Sequence, residues 1–247
     1  MDKDNYFSVS ETAEIMGISR TAVLKKIYTR KLKAERIGHF WAIPRGGTLQ
    51  AIIELKKIIK NKKKFIIEGI AGAGKTTLKN SLKQFLKNKK LYEFSEEELL
   101  LGWKHIHIPG ISMLRLRYLN LVLDYIEKKI ETEKDAIFVL ERFHISTLIF
   151  EYELPKDFMS EYNRLINRLK KLPVYILISR LKQSEIKERS VHKERNEQWN
   201  EYLNEKLKLR GFSDLKSLYI AEQKKVFEIA KKQKIPYLKL KETYNGL

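Results

Sequence analysis

The sequence predicts an α/β protein, a parallel sheet with helices on both faces, preceded by a small helical unit and a hairpin. Three features point to it. Apolar runs at 65–68, 136–141, 174–178 and 236–240 are short enough for buried strands and alternate with longer stretches of helical spacing. The first run leads directly into a glycine-rich segment and then a helical pattern. The first 45 or so residues read differently, as two short helical patterns and an alternating segment around Gly38. The chain therefore divides into a unit over 1–47, a connecting helix and turn over 48–63, and an α/β domain over 64–247.

Composition narrows the classes. Of 247 residues, 43% are hydrophobic and 33% charged, which supports a sizeable core and excludes wholesale disorder. The absence of cysteine removes disulfides, thiolate zinc sites and thiol nucleophiles, and suits a reducing compartment. No apolar run approaches the roughly 18–20 residues that span a bilayer, and the first residues resemble no secretion signal, so a cytoplasmic protein without a membrane partner is expected. Fifty Lys and Arg against 31 Asp and Glu give a formal charge of +19. Such a field attracts polyanions, nucleic acid and nucleotide phosphates among them.

In the first unit, Ser10 is expected to cap a helix carrying Ala13, Ile15 and Met16, with Gly17 stopping it in the left-handed conformation. Ser19 then caps a second helix from Arg20 to about Thr29, with Val23, Leu24 and Ile27 inward. The segment 32–43 alternates apolar and polar positions as a two-stranded wing turning at Gly38. This order, closing on Ile43-Pro44-Arg45, resembles the excisionase and MerR-type winged helix-turn-helix. The resemblance implies a recognition helix in the DNA major groove that starts at Ser19 and exposes Arg20, Thr21, Lys25 and Lys26. It places Arg36 and His39 of the wing at phosphates or the minor groove. Proteins of this type often bind two half-sites as dimers, so a homodimer is compatible with the sequence. Leu49, Ile52, Ile53, Leu55, Ile58 and Ile59 then mark the connecting helix.

Strand, glycine loop and helix follow in the order a P-loop requires: Gly69-Ile70-Ala71-Gly72-Ala73-Gly74-Lys75-Thr76-Thr77. The small residues Gly69, Ala71, Gly72, Ala73 and Gly74 let backbone N–H groups turn in around a phosphate, at a helix N-terminus whose dipole also favours anions. Lys75 is expected to reach the β and γ phosphates of ATP or another nucleoside triphosphate. Thr76 offers its hydroxyl to Mg²⁺, and Thr77 closes the cradle.

The run at 136–141 ends in Glu141, an acid placed to assist Thr76 in holding Mg²⁺. Its continuation, Glu141-Arg142-Phe143-His144-Ile145-Ser146-Thr147, resembles the Glu-Arg-Ser segment of deoxynucleoside kinases and the Asp-Arg segment of thymidylate kinases. That likeness implies that Glu141 lies by the metal and that Arg142 clamps transferred or acceptor phosphate. Phe143 departs from the usual serine. Arg189, Lys193 and Arg195 look like the lid cations of such kinases, and Glu93 or Glu96 stands where deoxynucleoside kinases keep the base that serves the sugar hydroxyl. Trp103 and Tyr118 are candidates to stack on a base, and Arg115 or Arg117 to face the acceptor. His105 and His107 share a face without a third ligand.

The expected activity is ATP- and Mg²⁺-dependent phosphoryl transfer to a nucleoside or nucleoside monophosphate, by a kinase-like domain tethered to a DNA-binding unit. Two alternatives use the same residues. One is a nucleotide-sensing DNA-binding regulator or mobile-element protein, the other a kinase acting on 5′ ends of nucleic acid.

Overall fold

The computed structural model describes residues 6–44, 47–86, 89–100, 108, 110–151, 154–190 and 197–241. The first unit contains β1 (Tyr6–Phe7), α1 (Val9–Met16), α2 (Arg20–Tyr28), β2 (Glu35–Ile37) and β3 (Phe40–Pro44). Ser8, rather than Ser10, caps α1. Its hydroxyl accepts from Glu11 N at 3.1 Å while Glu11 returns a carboxylate to Ser8 N at 2.7 Å. This reciprocal box needs an acid three residues beyond the cap, which Ser8 has and Ser10 lacks. Ser10 is an exposed helical residue. Ser19 caps α2 by accepting from Ala22 N at 3.1 Å, and Gly17 ends α1 at φ 67°. The hairpin β2–β3 gains a third strand the sequence analysis did not expect: Phe7 of β1 pairs with Ile43 of β3.

After α3 (Gly47–Asn61), five strands form one parallel sheet in the order β5-β6-β4-β7-β8. These are β4 (Lys64–Glu68), β5 (Leu91–Phe94), β6 (Ile137–Glu141), β7 (Val174–Arg180) and β8 (Tyr237–Lys241). Side chains alternate along β4, so Ile66 faces one helical layer and Phe65 and Ile67 the other. Ile66 joins Phe138, Leu140, Ile176 and Ile178 against α6 (Ile111–Thr132), α7 (His144–Phe150), α8 (Phe158–Lys171) and α11 (Leu215–Gln233). Phe65 and Ile67 join Val139 and Leu177 against Leu78 and Leu82 of α4 (Lys75–Phe85), Leu55 of α3, and Val23, Ile27 and Ile43 of the first unit. Each of these buried aliphatic side chains stabilises the fold by roughly 1.5–3 kcal/mol. With all strands parallel, the segments after β4, β5, β6 and β7 meet at one edge of the sheet. Open α/β sheets offer their ligand crevice there.

Candidate active site

The loop after β4 is shaped by backbone rather than by side chains. Gly72 sits at φ 71°, and a Cβ there would collide with the backbone carbonyl of Arg189 at the end of α9 (Gln183–Ser190). Gly69 would place a Cβ 2.5 Å from the Ser179 carbonyl of β7. Ser190 Oγ donates to Ala71 O at 2.7 Å, and Ser179 Oγ donates to Ala73 O. Helix α4 then begins at Lys75, and its N-cap, Gly74, supplies no side-chain acceptor to the first turn. A helix start of this kind favours an anion. The cleft here has a volume of about 420 Å³ and is lined by Gly72, Gly74, Lys75, Thr76, Thr77, Glu188 and Arg189. Its size is that of a small-molecule site.

Two ion-paired groups adjoin this cleft. Glu141, at the end of β6, accepts from Thr76 Oγ1 at 3.0 Å and from Lys79 Nζ at 2.5 Å. A hydroxyl and a carboxylate in contact form a hard oxygen pair that fits Mg²⁺. Among the described residues, no three acids or histidines cluster into a metal cage. Lys75 is buried, with Nζ 3.2 Å from Ile70 O and 3.7 Å from Glu96 Oε2. Burial first, then the nearby Arg142, lower its amine to about 8, while Glu96 and Glu141 oppose that fall.

Arg142 follows β6 at φ 63°, an uncommon conformation for a residue with a side chain. Its N–H donates to Ile67 O at 2.8 Å, and its Nε lies 2.8 Å from Glu96 Oε2. Its NH1 donates to Ser146 Oγ at 3.2 Å, and the guanidinium lies 5.0 Å from the Phe150 ring centroid. Burial would raise the Glu96 carboxyl, but Arg142 and Lys75 prevail and hold it at about 2. Glu68, the last residue of β4, was missed in the sequence analysis. Fully buried, it accepts from Phe143 N at 3.0 Å and from the Ser146 hydroxyl, and so anchors the turn that aims Arg142. Its signal was available: an acid closing an otherwise apolar central strand. Burial pushes its carboxyl up, and Ser146, Phe143 N and Arg142 partly offset this.

The far side of Arg142 is packed. Phe150, Trp199, Tyr202, Leu203 and Tyr219 surround a buried pair, Lys206 Nζ to Glu222 Oε1 at 2.6 Å, with Lys206 4.3 Å from the Phe150 ring. Trp199, Tyr202 and Lys206 all come from α10 (Glu197–Arg210). The free volume left beside Glu96 and Arg142 is about 20 Å³, room for about one water molecule.

Neither a protein-family profile nor a curated protein sequence matches this chain. Solved structures do. The chain is similar to a deoxyadenosine kinase from M. mycoides with the products dCMP and a flexible dCDP bound, at 16% identity and a TM-score of 0.37, over 72% of this chain and 90% of that one. The same enzyme with dATP bound is similar at 17% identity and a TM-score of 0.33, with the same coverage. A thymidylate kinase from Candida albicans is similar at 16% identity and a TM-score of 0.45, over 72% of this chain and 83% of that one. At these identities and scores the likeness assigns no residue.

Of the remaining candidates, Arg189 adjoins the loop, its NH2 3.8 Å from the Cβ position of Gly74, and it pairs with Glu185 at 3.8 Å. Lys193 and Arg195 lie outside the described residues, as do Trp103, His105 and His107. The two acids after β5 separate. Glu96 meets Lys75 and Arg142, whereas Glu93 pairs with Lys83 at 2.8 Å, two turns farther along α4. Arg115 is buried and structural, donating to Leu100 O at 2.7 Å and pairing with Glu151 at 2.9 Å; Arg117 is exposed and Tyr118 half-buried. Phe143 is fully buried in the core, and the hydroxyl beside Arg142 comes from Ser146 instead. In the first unit Ser19, Arg20, Thr21, Lys25, Arg36 and His39 are exposed and Lys26 is half-buried.

Proposed function

We propose that the α/β domain is an ATP- and Mg²⁺-dependent phosphotransferase acting on a nucleoside or nucleoside monophosphate. The observation that carries this reading is the convergence of Lys75, the Thr76–Glu141 pair and the Arg142–Glu96 pair at one edge of the sheet. The loop N–H groups and Lys75 bind the β and γ phosphates, and Arg189 borders the same cleft. Thr76 and Glu141 would hold Mg²⁺, which neutralises phosphate charge when bound. Arg142 stabilises charge on the phosphoryl group in flight. Glu96 accepts the acceptor hydroxyl's proton. Its affinity for that proton is low while Lys75 and Arg142 hold it, and rises as both cations turn to phosphate oxygens.

The first unit is read as a DNA-binding winged helix-turn-helix. Support comes from the two helices around Gly17, the hairpin, and the exposure of Arg20, Thr21, Lys25, Arg36 and His39. No described helix is long and apolar enough to cross a membrane, and we assign the protein to the cytoplasm. The nucleotide-gated regulator and the polynucleotide 5′-kinase use the same two units.

The deciding experiment is transfer from γ-labelled ATP with Mg²⁺ to deoxynucleosides, their monophosphates and 5′-hydroxyl oligonucleotides, with Lys75→Ala as control. A labelled product lost in the variant is expected and names the acceptor class. ATP binding with no product, together with DNA affinity that changes on adding nucleotide, would instead establish the regulator.

A further inference from the structure

A second cleft opens where the end of α7 meets α10 and α11, outside the residues assigned to the transfer. Its volume, about 450 Å³, is that of a small-molecule site. Leu209, Phe212 and Leu218 form an apolar wall, with Arg210 and Lys225 beside it. Two acids also line it, but each is matched by a cation: Glu151 pairs with Arg115 at 2.9 Å and Glu222 with Lys206 at 2.6 Å. The charge offered to a ligand is therefore that of Arg210 and Lys225. Partial burial, then Arg210, lower the Lys225 amine, so the two cations act on one space. A guanidinium beside an ammonium suits a doubly charged phosphate, and the apolar wall suits an organic group attached to it. This chemistry selects an organic phosphate monoester over a bare anion.

The cleft is connected to Arg142. Arg210 NH2 donates to Ile149 O and to Glu151 O, the latter at 3.2 Å, and so holds the backbone on both sides of Phe150. The Phe150 ring in turn meets two cations, with Lys206 Nζ 4.3 Å and the Arg142 guanidinium 5.0 Å from its centroid. Glu222 lines both this cleft and the packed space beside Arg142. A phosphate at Arg210 competes with the two carbonyls for the same guanidinium, and a charged acceptor binds it more strongly than a neutral one. Phe150 then loses its hold, and Arg142 the ring against which it is set. We propose that this cleft is an effector site for a small organic phosphate monoester, whose binding shifts Phe150 and with it Arg142. The site stands independently of the phosphotransferase reading; only its effect on turnover rests on that reading.

Phenyl phosphate is the probe. Calorimetric titration of Lys75→Ala, whose loop has lost its cation, is set against the double variant Lys75→Ala, Lys225→Gln. Saturable binding to the first is expected, weakened about tenfold or more in the second. Inorganic phosphate is expected to bind the first about tenfold more weakly than phenyl phosphate, for want of the apolar contact. Lys225 is exposed, so its substitution keeps the fold, which an unchanged circular dichroism spectrum checks. In the same titration the guanidinium NMR signals of Arg142, assigned by their absence from Arg142→Ala, are expected to shift. At saturating ATP and acceptor, phenyl phosphate is expected to lower kcat of the wild type about fivefold or more and to leave that of Lys225→Gln unchanged. Absent binding, equal binding to both variants, equal binding of phenyl and inorganic phosphate, stationary Arg142 signals, or an unaltered kcat in an active wild type overturns the proposal. A wild type that transfers no phosphate counts against the phosphotransferase reading instead, and the binding and NMR results then decide the effector site alone.

Discussion

The carboxylate of Glu96 stands 2.8 Å from Nε of Arg142, so an internal anion occupies the guanidinium that phosphate would otherwise claim. Glu96→Gln removes that competitor and the proposed proton acceptor together. ATP affinity is expected to hold or rise while turnover falls about 100-fold or more, which separate measurements of nucleotide Kd and kcat would show.

On the phosphotransferase reading, Lys75 would set the alkaline limit of the reaction. Its amine titrates at about 8 in the free protein because burial disfavours the charge. Above that pH the loop loses a cation, so kcat/KM is expected to fall through pH 8. Bound phosphates favour the charged amine, so the limb in kcat lies at higher pH. Glu96, held at about 2 without ligand, contributes no acid limb to kcat/KM near neutrality. Coincident limbs in the two profiles would count against this assignment.

Gly17 and Gly72 share a positive φ, 67° and 71°, but not their surroundings. A methyl at Gly17 meets open space, so Gly17→Ala costs about 1–2 kcal/mol through backbone conformation alone. At Gly72 the methyl meets the Arg189 carbonyl, and a larger loss accompanied by loss of ATP binding is expected. Urea melts with nucleotide titration compare them directly.

The cap of α1 admits a similar comparison. Ser8→Ala removes the hydrogen bond from Glu11 N to the Ser8 hydroxyl, leaves that from Ser8 N to the Glu11 carboxylate, and should cost about 1 kcal/mol. Ser10→Ala, at an exposed helical position, should change stability by less than about 0.5 kcal/mol. Equal effects would restore Ser10 as the cap.

His144 sets a stability slope in acid. It is fully buried, 2.9 Å from Gln233 Oε1 through Nε2, and burial lowers it to about 4. Its unfolded counterpart titrates near 6.5, so the stabilising difference is complete above that pH. As pH falls toward 4 the unfolded chain gains the proton first, and up to about 3 kcal/mol is lost. Unfolding free energies of wild type and His144→Gln between pH 7 and 4 should diverge in this sense.

Local signals made much of this legible. Short continuous apolar runs gave β4, β6, β7 and β8, and the glycine-lysine-threonine order gave the loop and the start of α4. Contacts between distant segments were not legible. Nothing local announces that Tyr6 and Phe7 add a strand to the hairpin, since that pairing depends on residues 36–38 positions away. Glu93 and Glu96 look equivalent in sequence, and only the end of β5 and the Ser95 cap of α5 (Glu96–Leu99) turn one toward Arg142 and the other toward Lys83. Glu68 reads as the end of a strand until Ser146, 78 residues later, is brought against it.

The α10 side chains packed around Arg142 bear on the order of events in a catalytic cycle. On the phosphotransferase reading, the described residues leave an open cleft at the loop for the donor and space for about one water beside Glu96. Steady-state kinetics would then be sequential and compulsory, with the nucleotide entering first. On that reading the same packing would also keep water from the side of the phosphoryl group that faces Glu96.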